Sequence, residues 1–435
     1  MQSIVMQNTA MNENWMASVT DVTRFAKRLC LGMSLNAWLL VASSAQAEMM
    51  DQFHFSGFAT LGAGKLYESE AHFIDYHEAW SFKSDTILGG QIQFQASDRW
   101  AVTGQVVARG FNFDNKSDFE PVLEWLFTSY QLTPETRVRA GRLRTPFYLY
   151  SESLEIGYSY PWVRPPVDAY SFLLSPLSHF DGADVTATFD AGFADIDVQV
   201  FAGVTESEYF DFNIQINTML GANLVARWQD VTFRYGATFV DTDASSVALQ
   251  PLIDGFNQFA VIDPIFAEIA SSHKTESEWF QYHGLGIQWE YQRWTFLSEQ
   301  YAIIGPGKDF SNDAFGWYIS VSRQIGAFVP YAVVGYYRNK FSDEIENLIE
   351  QSKLIVVPGA IPSLDSLRQV DASVAQGFNE HGNTYTAGVR YDFLANAALK
   401  LEVEYFDSTA QLRGNISGSA SQDAWLTTVV IDVVF

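Results

Sequence analysis

A cluster of arginines is the part of this sequence whose residue types and spacing fit a chemical role. Four of them fall within eight positions of a 435-residue chain that holds 26 Lys and Arg in all: Arg137, Arg139, Arg142 and Arg144. Guanidinium groups stay charged and pair with carboxylates through two parallel hydrogen bonds. Such a cluster either fixes the carboxylates of a neighbouring segment in place or presents positive charge to a solute.

The segment after the cluster, residues 145–180, is rich in aromatic rings and prolines. Tyr158, Tyr160 and Trp162 are candidates to stack against sugars or aromatic solutes. The prolines among them equally predict a compact loop that packs on itself. We favour packing, and the stacking interpretation stays open on the sequence alone.

The N-terminal part of the chain is typical of a secreted protein. Three basic residues precede a mostly apolar run at 29–41, and a small-residue cleavage site ends at Ala47. A leader of this length exceeds the usual span of about 15–30 residues, so we expect translation to start near Met16. We therefore predict that residues 1–47 are a signal peptide with an N-terminal extension and that residues 48–435 are the mature domain.

Composition excludes several classes of function. The only cysteine, Cys30, lies in the predicted leader, so the mature chain has no thiol for disulfides, thiolate metal sites or catalysis. Removing residues 1–47, which hold three basic and two acidic residues, leaves 23 Lys and Arg against 49 Asp and Glu, a formal charge of −26. This charge excludes nucleic acid as a partner. The sequence indicates no cofactor and no metal site.

The hydropathy pattern of the mature chain favours membrane-spanning strands over helices. It offers no run of roughly 18 apolar residues, the length that a membrane helix needs. Residues 231–239 and 399–405 instead alternate strictly between apolar and polar side chains. A charge on the lipid side would cost about 2–4 kcal/mol at mid-bilayer, so the polar positions must face water inside a barrel. The charged residues at these positions are Arg234, Lys400, Glu402 and Glu404.

Short turn signals recur seven times and divide the mature chain into hairpins. Seven turns join fourteen strands, and a first strand near 53–61 and a last strand ending at Phe435 bring the total to sixteen. The predicted fold class is all-β, a transmembrane antiparallel β-barrel with tight turns on one side and eight longer loops on the other. The turns lie at 97–99, 133–135, 191–193, 229–230, 292–293, 324–326 and 395–397. The loops lie at 64–84, 110–118, 146–180, 205–213, 241–278, 304–313, 339–382 and 408–423.

Three short elements resemble a known family. The closing strand, residues 424–435 with Phe435 on its apolar face, resembles the assembly signal of bacterial outer-membrane barrels. Gly-Arg-Leu-Arg-Thr-Pro at 141–146 and Asp-Gly-Ala at 181–183, which flank the third loop, resemble the pattern of Gram-negative porins. The resemblance covers the whole mature chain only in strand count and closing strand. It implies a homotrimer in outer-membrane lipid and lipopolysaccharide, with the third loop folded inward and a water-filled channel for ions and small hydrophilic solutes.

The resemblance also implies a pore constriction. In porins, basic residues of the wall face acidic residues of the third loop, and the acidic candidates here are Glu152, Glu155 and Asp168. Opposed charges would produce a transverse field that favours polar solutes. The alternative is that arginine–carboxylate pairs only pin the loop to the wall.

Strand geometry limits how many of the four arginines reach such a constriction. Arg137 and Arg139 share one strand face, whereas Arg142 and Arg144 have the opposite parity. A β-bulge at Gly141 would turn all four inward. Without a bulge, one of the two pairs lies beyond the hydrocarbon or at a subunit interface.

Two rival functions stay open. One is a channel specific for sugars or anions. The other is an outer-membrane enzyme, although the seven histidines are scattered and the sequence has no HExxH pair, Walker loop or Gly-x-Ser-x-Gly elbow. A structural or adhesive barrel would need a filled lumen or exposed binding loops. Sixteen strands enclose too wide a lumen for wall side chains alone to fill, which favours conduction over that function. The acidic charge then predicts a weak preference for cations.

Overall fold

The computed structural model of this protein describes residues 52–67, 73–111, 117–170, 177–209, 212–307, 313–340, 342–355, 364–371, 380–408 and 423–435. Within them, sixteen strands form one closed barrel in which sequence neighbours are spatial neighbours and β16 returns to β1. The predicted signal peptide lies outside the described residues. The strands are β1 Phe53–Leu66, β2 Ile87–Ser97, β3 Trp100–Arg109, β4 Pro121–Thr133, β5 Thr136–Arg144, β6 His179–Asp190, β7 Asp195–Tyr209, β8 Phe212–Trp228, β9 Val231–Ser246, β10 Thr275–Tyr291, β11 Trp294–Ile304, β12 Asp313–Arg323, β13 Phe328–Lys340, β14 Glu380–Leu394, β15 Ala397–Ser408 and β16 Ala424–Val434.

The barrel confirms the predicted strand number and places all seven tight turns where turn chemistry predicts them. Two external loops are shorter than predicted. β7 and β8 pair up to Tyr209 and Phe212, so the predicted loop at 205–213 is wrong in extent, and β9 continues to Ser246 in the same way. Strand pairing continues beyond the membrane because it also satisfies the backbone hydrogen bonds there. The alternation of apolar side chains is present only where a strand faces lipid, so it underestimates the length of the strands.

Side chains alternate between an apolar outer face and an inner face. Trp100, Trp228 and Trp289 lie on the outer face beside short turns and are 48%, 53% and 43% exposed, which is typical of an aromatic girdle at a membrane interface. Lys400 and Glu402 occupy the inner face, also as predicted, yet they are 0% and 2% exposed. The expectation that these charges meet open water was wrong, because residues of the third loop cover them.

Helices occur only in connections among the described residues. The predicted third loop contains the short helix α1 (Val167–Tyr170), and the connection from β9 to β10 contains α2 (Gln250–Phe259) and α3 (Ile265–Ser272). A fourth helix, α4 (Asp343–Ser352), follows β13, and residues 364–371 are also helical. These helices of the fifth and seventh loops share one apolar cluster. No helix of the described residues is long and apolar enough to cross a membrane.

Candidate functional site

Residues 145–170, called here the inner segment, leave β5 and lie inside the barrel. Close to its start, the Arg234 guanidinium on β9 donates hydrogen bonds to the carbonyl oxygens of Pro146 and Phe147. The Glu299 carboxylate on β11 accepts from the Leu149 backbone N–H at 2.7 Å and from the Tyr170 hydroxyl at 2.5 Å. Both ends of the inner segment are therefore fastened to one side of the wall.

Lys400 on β15 holds the middle of the inner segment. Its Nζ donates to the carbonyl oxygens of Gly157 and Trp162 at 2.6 Å each, and it forms an ion pair with Asp432 at 2.8 Å. A Cβ at Gly157 would collide with Asp432 and lie 2.7 Å from the Thr60 hydroxyl, so glycine is what lets the backbone touch the wall here. The segment thus crosses the lumen to β15, β16 and β1.

Arg164 is the single cationic residue of the inner segment. Its side chain is 7% exposed and forms ion pairs with Asp85, at 2.7 Å, and with Glu404. Its Nη2 also donates to Thr428 Oγ1 at 3.0 Å, and Glu402 lies 3.8 Å from Nη1. One guanidinium thereby joins the segment to the loop before β2 and to β15 and β16.

Aromatic packing fills the lumen between the inner segment and strands β10–β12. The Tyr148 and Tyr170 rings stack with centroids 4.4 Å apart, and the Trp162 ring meets the Tyr318 ring edge-on at 5.8 Å. Trp162 Nε1 donates to Ser320 Oγ at 2.9 Å. Burial, reinforced by the nearby charge of Glu299, raises the pKa of Tyr170 well above its ordinary value, so this hydroxyl stays a protonated donor.

Two of the four predicted arginines meet the inner segment. Arg139 pairs with Asp184 at 2.6 Å and with Glu152 at 2.8 Å. Arg144 pairs with Glu155 at 3.1 Å, and the same carboxylate also binds Arg109 of β3 at 2.6 Å. Wall and segment charges are therefore in direct contact, and no solute fits between the partners.

Arg142 lies on the outside of the barrel. It pairs in register with Leu126, which is 49% exposed on the outer face, and its guanidinium binds Asp181 at 2.8 Å. The register of β5 with β4 and β6 runs without a shift through Gly141, so the predicted bulge is wrong. Arg144 turns inward because it is the last residue of the strand, and Arg137 is exposed next to the short-turn end of β5.

The other predicted site residues are placed as follows. Glu155 and Asp168 are 6% and 1% exposed and Asp168 accepts from Thr384 Oγ1 at 3.0 Å, so neither carboxylate is open to a solute. Tyr160 and Trp162 are 4% and 1% exposed and their rings pack inside the protein, in line with the favoured packing interpretation, so the alternative that they stack on solutes is wrong for these two residues. Tyr158 is partly exposed and stacks under Arg390, which lies 4.4 Å from the ring centroid. Glu152 has a 55% exposed side chain and is the one acidic candidate that water reaches freely.

The sequence did not predict two charged residues that hold the inner segment and its partners in place. Glu124 is the extra residue of a bulge in β4 between Leu123 and Trp125, and its carboxylate binds Arg109 at 2.6 Å. Its strand parity predicts the outer face, and no signal in the sequence marks the bulge. Arg164 lies in a stretch without periodic hydropathy, so the sequence does not predict where its side chain points. Among the described residues, no group of three or more His, Cys, Asp and Glu is arranged to hold a metal ion.

The space that the inner segment leaves open lies to one side of the barrel. Inner-face residues of β12 and β16, such as Tyr318 and Thr428, are 0% exposed because the segment packs on them. Inner-face residues of β2 and β4, such as Gln93 and Phe127, are partly exposed. Gln199 on the inner face of β7 is partly exposed as well, so the open part of the lumen lies on the side from β2 to β7, which includes Gln93 and Phe127.

The sixteen strands in closed order have the fold of solved Gram-negative outer-membrane porins. OmpF of Salmonella typhi in complex with daunomycin matches with a TM-score of 0.54 at 10% identity, covering 88% of this chain and 97% of that one. An anion-selective porin from Comamonas acidovorans matches with a TM-score of 0.52 at 10% identity, covering 88% of this chain and 99% of that one. OprB of Pseudomonas putida matches with a TM-score of 0.52 at 10% identity, covering 90% of this chain and 96% of that one. No protein-family model and no curated protein sequence matches the chain.

Proposed function

We propose that this protein is a porin of the outer membrane, through which ions and small hydrophilic solutes diffuse passively. The observation that carries the proposal is the closed barrel with a partly exposed inner face along β2 and β4. The outer band of exposed apolar residues would meet lipid and, on the external side, lipopolysaccharide. Removal of residues 1–47 as a signal peptide and use of Phe435 as an assembly signal belong to the same proposal. The proposal includes no catalysis, and one of the solved structures named above is described as an anion-selective porin.

Planar-bilayer recording of the purified mature protein tests the function. We expect stepwise conductance in KCl with a modest preference for K⁺, because the mature chain carries a formal charge of −26. The reversal potential across a KCl gradient gives the ion preference. A membrane that stays silent at high protein load contradicts the proposal.

We further propose a homotrimer that covers the outer face around Arg142 and Asp181. Arg142 is the seventh of nine residues in β5, within a span of about 9–11 residues that crosses the membrane. Its neighbour Leu126 and the Asp181 neighbour Val204 are 49% and 48% exposed on the same face. Charges at this depth are costly against hydrocarbon, so contact with another subunit explains them better than contact with lipid.

Arg142→Ala is expected to weaken the trimer, because it leaves the Asp181 carboxylate without its partner in a covered, apolar face. The pair is 32% and 51% exposed in the single chain, and in an interface that covers both groups its loss would cost up to about 3–5 kcal/mol. We expect the trimer band on a mildly denaturing gel to convert to monomer at a lower temperature than for the wild type. Arg323→Ala is the control, since Arg323 is exposed at the short-turn rim and stacks on Trp294 at 4.9 Å. Equal loss in both variants, or none in Arg142→Ala, contradicts the interface.

A further inference from the structure

The outer face of β10 carries hydrogen-bonding side chains within the band that would meet lipid. On this strand the band lies between Trp279, near the external loop, and Trp289, near the short turn, which are 49% and 43% exposed. The outward positions between the two tryptophans are Gln281, His283, Leu285 and Ile287. Histidine is rare in a membrane span and seldom faces lipid, so His283 marks a contact with a polar partner.

His283 is the centre of a small cluster of polar groups. The Tyr235 hydroxyl on β9 lies 3.0 Å from His283 Nδ1, and the two rings stack with centroids 6.3 Å apart. His283 Nε2 lies 3.4 Å from the side-chain oxygen of Gln281, which is exposed on the same face. With the tyrosine hydroxyl donating to Nδ1, the imidazole is neutral and Nε2 carries its proton. The cluster is therefore uncharged, and its donors and acceptors lie at the lipid-facing surface.

Small residues flank His283 on both neighbouring strands. It pairs in register with Ala237 of β9 and with Ala302 of β11. The imidazole leans toward β9, because its centroid is 6.3 Å from the Tyr235 ring and 6.4 Å from the Phe239 ring. The surface over Ala302 is left as a shallow recess beside the imidazole. Neighbouring strands lie about 4.8 Å apart, so this recess has the width of a single acyl chain.

The polar cluster belongs to the half of the band next to the external loops. Two residues of a tilted strand descend about 5 Å, so Gln281 and His283 lie about 5 and 10 Å below Trp279. The half next to the short turns presents large apolar side chains, namely Phe233, Ile287 and Phe296, which are 39%, 47% and 37% exposed. The partner of the cluster is therefore a component of the external leaflet.

From this geometry we infer that the cluster of Tyr235, Gln281 and His283 binds a hydroxylated acyl chain of lipopolysaccharide. Such chains carry a hydroxyl group and an ester or amide carbonyl a few ångströms below the sugar headgroup, at the depth of Gln281 and His283. A neutral cluster suits these groups and does not suit a phosphate. A protein partner would bury about 800 Å² on each side, far more than this recess offers. The inference rests on the proposed outer-membrane function and names a lipid partner for its outer face.

Lipid binding to the detergent-solubilised mature protein, measured by native mass spectrometry, provides the test. Two probes share a bisphosphorylated glucosamine disaccharide and differ only in whether their acyl chains carry hydroxyl groups. The third probe is phosphatidylethanolamine with plain chains. We expect the hydroxylated probe to bind about tenfold tighter than its plain counterpart, as one or two net hydrogen bonds would give.

Variants on the outer face locate the binding site. His283→Phe keeps a ring in the stack and removes both nitrogens, so the affinity for the hydroxylated probe should fall about fivefold or more. Tyr235→Phe removes one hydroxyl group and should lower it about threefold, and the plain probe should bind both variants like the wild type. Tyr385→Phe is the matched control, since Tyr385 is 47% exposed on the outer face of β14 and stacks on Tyr405.

The outcomes separate the lipid site from the channel. Equal affinities for the hydroxylated and plain probes in a wild-type barrel that conducts KCl overturn this inference alone. A preference that survives in His283→Phe and Tyr235→Phe, or tighter binding of phosphatidylethanolamine than of the hydroxylated probe, overturns it as well. A wild-type chain that stays silent in bilayers but prefers the hydroxylated probe overturns the channel function and supports the lipid site.

Discussion

Arg164→Ala is expected to open the channel and to destabilise the barrel in one step. The variant removes the cation that holds Asp85, Glu404 and the nearby Glu402, and their carboxylates are almost fully buried. Leaving buried charges unpaired costs about 3–5 kcal/mol. With its main anchor gone, the inner segment should leave the wall near β15 and β16, and single-channel conductance should rise roughly twofold or more.

Two measurements on the same preparation check this result: single-channel recording, and thermal unfolding followed by the gel shift of the folded barrel. Arg227→Ala is the matched control, because Arg227 pairs with Asp197 at 2.7 Å but is 50% exposed. An exposed pair contributes less than about 1 kcal/mol, so the control should unfold almost like the wild type. Unchanged conductance in Arg164→Ala would show that the inner segment keeps its place without this anchor.

Cysteine labelling is expected to show that the passage runs past Gln93 on β2, through a large loss of current on modification. The predicted mature chain lacks cysteine, so single introduced thiols can be followed without background. In Gln93→Cys, a partly exposed inner position, a cationic methanethiosulfonate reagent should cut the current by about half, because the bulky adduct occupies the lumen. In Ser320→Cys, an inner position that is 3% exposed beneath Trp162, the same reagent should leave the current unchanged.

The mass of each labelled protein separates lack of access from lack of effect. Ser320→Cys should remain unmodified in the folded barrel and become modified after denaturation. Rapid block through Ser320→Cys together with an inert Gln93→Cys would place the passage on the opposite side of the barrel and contradict our assignment.

Most of the barrel follows from local signals in the sequence. Residues 399–405 alternate with period two, and β15 spans them with Lys400 and Glu402 facing inward. Turn chemistry at Gln292 and Arg293 marks the hairpin between β10 and β11 correctly. Each hairpin is specified by its own residues, so the count of sixteen requires no knowledge of distant contacts.

The constriction was predicted less well than the barrel. The arginine cluster pointed to the loop that lies inside the barrel, and Arg139 and Arg144 of the cluster contact Glu152 and Glu155, two of the three acidic residues predicted for the constriction. Arg142 would face inward only with a bulge at Gly141, and that bulge does not form. The bulge at Glu124 was not predicted. A bulge is a property of the pairing between two strands, so the spacing of residues along one strand does not reveal it.

The sequence by itself determined a sixteen-stranded barrel and the loop that carries its charges. The tertiary structure alone decided which side of the lumen stays open. Arg164 meets partners 79 and 264 positions away, and Lys400 reaches back 243 positions to Gly157. These contacts join a segment without periodicity to walls that exist only once the barrel has closed. Gln93 and Phe127 stay partly exposed on the inner face because the inner segment packs on the opposite wall.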